Sequence, residues 1–338
     1  MVDLATHWLG LSLRSPLVIG ASPLADDLDR LARLVDAGAG AVVLRSIFEE
    51  QIVNEQLAAH RFLDSYVDTD AEARSFLPDT DVFSLGPEPM LRHLEQVRTT
   101  VDVPVVASLN GITPGGWTDI ARQLQDAGAH AIELNLYDVP TDLDSTSGDI
   151  EARQLETVRT VAEQVTVPVS AKLSVFHTGL PNFATRLAAA GAQGVAVFNR
   201  FYQPDIDLDT LDVDRHLTPS TSAELPLRLH ALALLHGRVD LSLACTGGIH
   251  TGHDAAKALL CGADAIQLVS ALLDDDARSL ARIHTELTNW LTEKSYQSVD
   301  EARGAMSFQN VTDPQAWERV NYARVLQGWQ PPVPRRQP

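Results

Sequence analysis

Eight short apolar runs, separated by stretches of helical period, constrain this chain more than any other feature. They are Pro16 to Ala21, Ala41 to Arg45, Pro104 to Leu109, Ala131 to Asn135, Pro168 to Leu173, Gly194 to Asn199, Leu241 to Cys245 and Ala265 to Val269. Most are continuously apolar, which is what strands buried on both faces of a parallel sheet require. Ala37-Gly38-Ala39, Ala127-Gly128-Ala129, Ala190-Gly191-Ala192 and Cys261-Gly262-Ala263 each precede an even-numbered run, where glycine can end a helix in the left-handed conformation. Val103-Pro104-Val105 and Val167-Pro168-Val169 open two odd-numbered runs, with proline where a ladder donor is least missed. A doubly wound open sheet would stop short of eight strands and carry a glycine-rich turn after the first, and Gly20-Ala21-Ser22-Pro23 is no such turn. The pattern is that of an α/β chain folded as a (β/α)8 TIM barrel.

Helical composition between the runs predicts helices over Leu28 to Ala37, Pro89 to Thr100, Ile120 to Ala127, Gln154 to Gln164, Phe183 to Ala190, Leu225 to His236 and Gly252 to Leu260. The connections of residues 46 to 88 and 200 to 224 exceed ordinary loop lengths. They are expected to cover the C-terminal face, where barrel chemistry sits. Residues 1–327 are read as a single barrel domain and 328–338 as a Pro-rich, poorly ordered tail.

Charge narrows the partners. Twenty-six Lys and Arg against 45 Asp and Glu give a net charge of −19, which repels nucleic acid and anionic membrane surfaces. A small-molecule substrate, anionic or not, remains compatible, because a few cations and backbone N–H groups set the potential inside a pocket. With no apolar run long enough to span a bilayer and no N-terminal targeting pattern, a soluble, cytoplasmic protein is expected. Cys245 and Cys261 are too few for a disulfide framework and read as buried thiols.

Polar residues collect where the runs end: Ser22, Arg45, Ser46, Ser108, Asn110, Glu133, Asn135, Lys172, Asn199, Thr246 and Ser270. Lys172 interrupts an apolar run, where an ammonium is costly unless compensated. A cation facing a cofactor is preferred there over a structural ion pair. Thr246-Gly247-Gly248-Ile249 follows the seventh run and Val269-Ser270-Ala271 closes the eighth, the usual phosphate position of such barrels. The alternative for Gly247-Gly248 is a loop that needs positive φ. His250 and His253 have no obvious third ligand nearby, so no metal site is expected.

These residues resemble the dihydroorotate dehydrogenase family of FMN-dependent barrels, in a divergent branch, over roughly residues 10 to 290. The most specific stretch runs from Ala244-Cys245-Thr246-Gly247-Gly248-Ile249 through Asp254-Ala255 and on to Gln267-Leu268-Val269-Ser270-Ala271. Ile132-Glu133-Leu134-Asn135-Leu136, Ala171-Lys172-Leu173, Val197-Phe198-Asn199 and Ser15-Pro16-Leu17 through Ser22 resemble other strand motifs of the family. The resemblance implies FMN as cofactor and hydride transfer to flavin N5 from a dihydropyrimidine-like or related CH–CH substrate. It further implies a role in pyrimidine biosynthesis and a homodimer. Carried over by position, Ala21, Ser22, Arg45, Ser46, Asn110, Asn135, Lys172, Asn199, Thr246, Gly247, Gly248, Val269 and Ser270 would bind the cofactor. Asn110, Asn135, Asn199 and Arg200 would bind substrate, and Asp138, Lys172 and Tyr137 would be catalytic.

The sequence departs from the family where the base belongs. Soluble members have Ser-Cys-Pro-Asn after the fourth-strand Asn, with Cys as base, and this chain has Tyr137-Asp138-Val139-Pro140. Arg45-Ser46 stands where those members have Lys and a hydroxyl residue, and their Asn-containing substrate loop has no clear counterpart in residues 60 to 86. The departures imply a changed base and a changed substrate. Asp138, Tyr137 or His177 could take the proton, while a loop-capping role is the alternative for Asp138. Two other functions fit the pattern: a flavin-binding partner protein with altered catalysis, and a non-redox phosphate-binding lyase or isomerase.

Overall fold

The computed structural model describes residues 2–48, 87–110, 117–138, 140–201, 203, 205–214, 218–273 and 275–328. Eight strands form its centre: β1 (Leu17–Ile19), β2 (Ala41–Val43), β3 (Val105–Asn110), β4 (Ala131–Leu136), β5 (Val169–Leu173), β6 (Gly194–Val197), β7 (Ser242–Thr246) and β8 (Ala265–Leu268). All neighbours pair in parallel, β8 returning to β1 through Ile266↔Leu17 and β2 meeting β3 through Val42↔Val105, so the sheet closes. A helix follows every strand: α1 (Leu28–Asp36), α2 (Glu88–Thr100), α3 (Trp117–Asp126), α4 (Ser147–Ala162), α5 (Leu180–Ala189), α6 (Leu225–Leu235), α7 (Gly252–Leu260) and α8 (Asp276–Glu293). The architecture is a (β/α)8 barrel.

The repeated Gly turns act as the sequence pattern requires. Gly38, Gly128, Gly191 and Gly262 have φ of +113°, +97°, +103° and +109°. Each donates its N–H three residues back, to Val35, Gln125, Ala188 and Leu259, and the following alanine donates five back. That paired bonding is the Schellman motif, and it sends the chain straight into the next strand. Pro104 and Pro168 sit one residue before their strands, where their carbonyls still accept from Val42 and Ile132. The remaining helix bounds shift. α4 begins at Ser147 rather than Gln154, because Thr146 and Asp149 form a reciprocal capping box upstream of the apolar stripe. α5 starts at Leu180, three residues early, with proline in its first turn. α8, with 18 residues, is not among the seven helices named from pattern.

An N-terminal hairpin that the pattern does not foretell closes the barrel floor. Thr6–Trp8 pairs antiparallel with Leu11–Leu13 across Leu9-Gly10, whose φ values of +56° and +72° make a two-residue turn of the primed kind. Trp8, Leu9 and Leu13 pack with Val18, Ala41, Val43, Val106, Ala131, Ala196, Ala244 and Ala265. The alanines leave room for the indole, and truncating Trp8 to alanine would cost about 3–5 kcal/mol. The larger core fills the space between strands and helices.

Of the two long connections, the second carries a hairpin, Asp205–Asp207 with Asp212–Asp214. Most of the first, residues 49–86, lies outside the described residues, as does the tail from residue 329, so the tail expectation and the covering expectation for that connection fall there, while the second connection brings Pro219 and Ser220 to the cavity at the strand ends. A short helix α9 (Val299–Ala302) and a longer α10 (Pro314–Gly328) follow α8. No helix among the described residues is long and apolar enough to cross a membrane.

Candidate active site

Inside the barrel, polarity rises toward the C-terminal ends. Along β3 the interior reads Val106, Ser108, Asn110, and along β4 Ala131, Glu133, Asn135. Register sets Ser108, Glu133 and Ser170 level, with Asn110, Asn135 and Lys172 level one step higher. Lys172 Nζ donates to Glu133 Oε1 at 2.8 Å, and Gln267 Nε2 from β8 donates to Glu133 Oε2 at 2.6 Å. All three side chains are buried. The less preferred sequence reading of Lys172, an ion pair, is therefore present, and the same side chain still lines the cavity above. Asn199 Nδ2 donates to Asn135 Oδ1 at 2.8 Å, Ser46 and Ser108 share a 2.7 Å hydroxyl contact, and Ser22 Oγ donates to the Gly20 carbonyl at 2.9 Å.

Beyond this layer a cavity of about 220 Å³ opens. Nine of the expected cofactor or substrate residues line it: Ala21, Lys172, Asn199, Arg200, Thr246, Gly247, Gly248, Val269 and Ser270. Gly247 and Gly248 have φ of +87° and +81°. A Cβ on Gly248 would stand 2.7 Å from the backbone N of Leu225, where α6 begins, so glycine serves both conformation and close approach. Gly248 N–H donates to Ser220 Oγ at 3.2 Å, and Ser220 N–H donates to Ser270 Oγ at 3.0 Å. Arg228 of α6 lies against Gly247 and is buried.

The loop after the glycines is held by Asp254. It forms a capping box with Thr251 and accepts from Ser222 Oγ at 2.7 Å and from the His250 N–H at 3.2 Å. Burial alone would raise its carboxyl, but these donors and Lys257 outweigh it and hold the group below the usual carboxylate range. A pair of positive-φ residues, two hydroxyls and a buried guanidinium thus meet at the ends of β7 and β8. That donor set fits a phosphate. The level of Lys172 and Asn199 beneath it fits the polar edge of a flat ring.

The base candidates lie apart from the cavity lining. Asp138 pairs with Arg153 of α4 at 2.8 Å and is 17% exposed. The Tyr137 ring is 6.3 Å from Phe201. His177 stacks on Phe183 of α5 at 4.3 Å, its Nε2 is buried without a partner among the described residues, and burial lowers its pKa. Arg45 turns to Asp26, 3.2 Å away, at the edge of the mouth. Arg200 Nη1 lies 3.1 Å from both oxygens of Glu224. Phe198, Asn199, Arg200 and Arg228 also line a neighbouring cavity of about 570 Å³, which continues to Val175, Phe201 and Leu227. Cys245 lies in β7 with its thiol pushed up to about 12 by burial, which keeps it inert.

Three site residues escape the sequence reading: Arg228, Ser220 and Gln267. Arg228 carried a signal, since it interrupts Leu225-Pro226-Leu227-Arg228-Leu229 as Lys172 interrupts its strand. Gln267 carried none beyond its place in the stretch ending Val269-Ser270-Ala271, and Ser220 none beyond its place in the long 200–224 connection.

A family profile described as dihydroorotate dehydrogenase matches residues 3–291. The chain is 24% identical to the chloroplastic dihydropyrimidine dehydrogenase (NADP(+)) of Arabidopsis thaliana, covering 89% of this chain and 76% of that protein. It is 24% identical to the NAD-dependent dihydropyrimidine dehydrogenase subunit PreA of Escherichia coli K12, with the same coverage of both chains. It is 27% identical to the catalytic subunit of dihydroorotate dehydrogenase B (NAD(+)) of Methanocella arvoryzae, covering 87% of this chain and 95% of that one.

Proposed function

Because this chain belongs to the dihydroorotate dehydrogenase family and is an oxidoreductase acting on CH–CH groups, we propose that it uses FMN to oxidise a dihydropyrimidine-like or related substrate. The observation that carries the reading is the convergence of Gly247, Gly248, Ser270 and Lys172 on one cavity at the ends of β5, β7 and β8. When bound, FMN supplies the hydride acceptor at N5.

The chain's own residues do the rest. Gly247, Gly248 and Ser270 would hold the phosphate, while Ala21 and Val269 line the mouth beside β1 and β8. Lys172, held by Glu133, would offer a fixed positive charge to a bound flavin and so favour its more negative, reduced form. Asn135 and Asn199 hold one another, and Asn110 stands level with Asn135. Their remaining amide groups orient the polar edges of the substrate. Arg200, its Nη1 held by Glu224, offers its remaining guanidinium donors to the substrate, and Asp138 accepts the proton from the substrate carbon, with Tyr137 beside it. The protein acts as a single barrel domain and as a homodimer in this reading.

The substrate is tested by anaerobic titration of the flavin-loaded protein with dihydroorotate and with dihydrouracil. Bleaching by either supports the reading; a flavin that neither compound bleaches and a protein that binds neither contradict it. One observation favours a second reading, a flavin-binding partner protein with altered catalysis: Asp138 is committed to Arg153 at 2.8 Å.

A further inference from the structure

Arg228 is 7% exposed, and its guanidinium plane is fixed on two sides. Nε donates to the Thr246 carbonyl at 3.1 Å and Nη1 to the Glu224 carbonyl at 2.9 Å. The third nitrogen, Nη2, faces Gly247: a Cβ there would lie 3.1 Å from it. Its separation from Glu224 Oε2 is 3.8 Å, beyond hydrogen-bond reach. That carboxylate is already taken, since Arg200 Nη1 contacts both of its oxygens at 3.1 Å. Among the described residues two guanidinium groups therefore share one carboxylate, and these three groups keep one positive charge. A buried cation is costly unless an anion completes it. Ser220 completes the same corner, also buried, with its Oγ accepting from the Gly248 N–H and lying 3.4 Å from His250 Nε2, and its own N–H donating to Ser270 Oγ.

We infer that Arg228 and Ser220, both from the connection and helix after β6, form a third wall of the phosphate cup and make the site select phosphorylated over unphosphorylated flavin. The inference rests on the flavin reading above. Arg228 Nη2 is the fixed cation and the Ser220 hydroxyl a donor beside the Gly248 N–H. A flavin without a phosphate leaves the guanidinium as it stands, with no gain from that wall. A phosphate monoester supplies the missing anion to the nitrogen that has no acceptor among the described residues.

Equilibrium binding of FMN and of riboflavin to the full chain, followed by quenching of flavin fluorescence, tests this. Wild type is expected to prefer FMN by about a hundred-fold or more. Arg228→Met lowers FMN affinity about ten- to a hundred-fold, the value of one charge-assisted contact, and leaves riboflavin affinity within about two-fold. Ser220→Ala acts in the same direction with a smaller loss. Arg228→Lys, which keeps charge without the planar fork, falls between wild type and Arg228→Met. Inorganic phosphate competes with FMN and not with riboflavin in wild type. Equal losses for both flavins in Arg228→Met mark a structural role and overturn the inference. Should Arg228→Met not fold, phosphate competition in wild type decides, and its absence overturns the inference. Wild type that binds both flavins equally well overturns it while the flavin reading stands. Wild type that binds neither flavin overturns the flavin reading as well.

Discussion

Lys172 of β5 and Glu133 of β4 form an ion pair inside the barrel, Nζ to Oε1 at 2.8 Å, with side chains 7% and 0% exposed. The pair sits directly below the cavity, and Gln267 holds the other oxygen of Glu133. Removing one partner leaves an uncompensated buried charge, so Lys172→Met should destabilise the fold by about 3–5 kcal/mol in urea unfolding. Glu133→Gln added to Lys172→Met should recover part of that loss. Independent, additive losses would show that the two groups are not coupled.

Gly248→Ala places a Cβ 2.7 Å from the Leu225 backbone at a φ of +81°. Strain at such a position costs about 1–3 kcal/mol. A lower thermal midpoint, together with a reduced flavin-to-protein ratio after purification, is the expected result. A variant with both unchanged would place the cup elsewhere.

If Asp138 takes the substrate proton, Asp138→Asn slows anaerobic flavin reduction by substrate about a hundred- to ten-thousand-fold while flavin affinity stays the same. Tyr137→Phe should cost less than about ten-fold on the same scale. Unaltered reduction by Asp138→Asn removes Asp138 from the mechanism.

Burial holds His177 below its ordinary value, against the opposing pull of Glu151. The unfolded chain, with a histidine near about 6.5, then takes up the proton more readily than the folded one. This contribution to stability is present above about pH 6.5 and is lost as pH falls through and below it. The thermal midpoint should fall between about pH 7.5 and 5.5. In His177→Phe the fall should be shallower. An identical pH slope in the variant assigns the acid sensitivity to other groups; His130, His236 and His284 are also lowered by burial.

The barrel was legible in the chain because its punctuation repeats. Gly38, Gly128, Gly191 and Gly262 each end a helix by the same local bonding, and local bonding is what a sequence window can display. The cup glycines were legible for the same reason, through their place after the seventh run. The hairpin around Leu9-Gly10 was not, because strands of three residues carry too little periodicity and their partner is the barrel interior. Asp138 was legible as a candidate but not its commitment to Arg153, fifteen residues on and across a loop. Arg228 stood out as a cation interrupting an apolar run, but its place was not legible, because only the turn of α6 toward Gly247 buries it there.

The absorption spectrum of the purified protein, with mass analysis of what heat releases from it, tests the central claim most directly. Flavin bands and release of FMN in a ratio near one per chain after loading are the expected result. A colourless protein that takes up no FMN when loaded would contradict it.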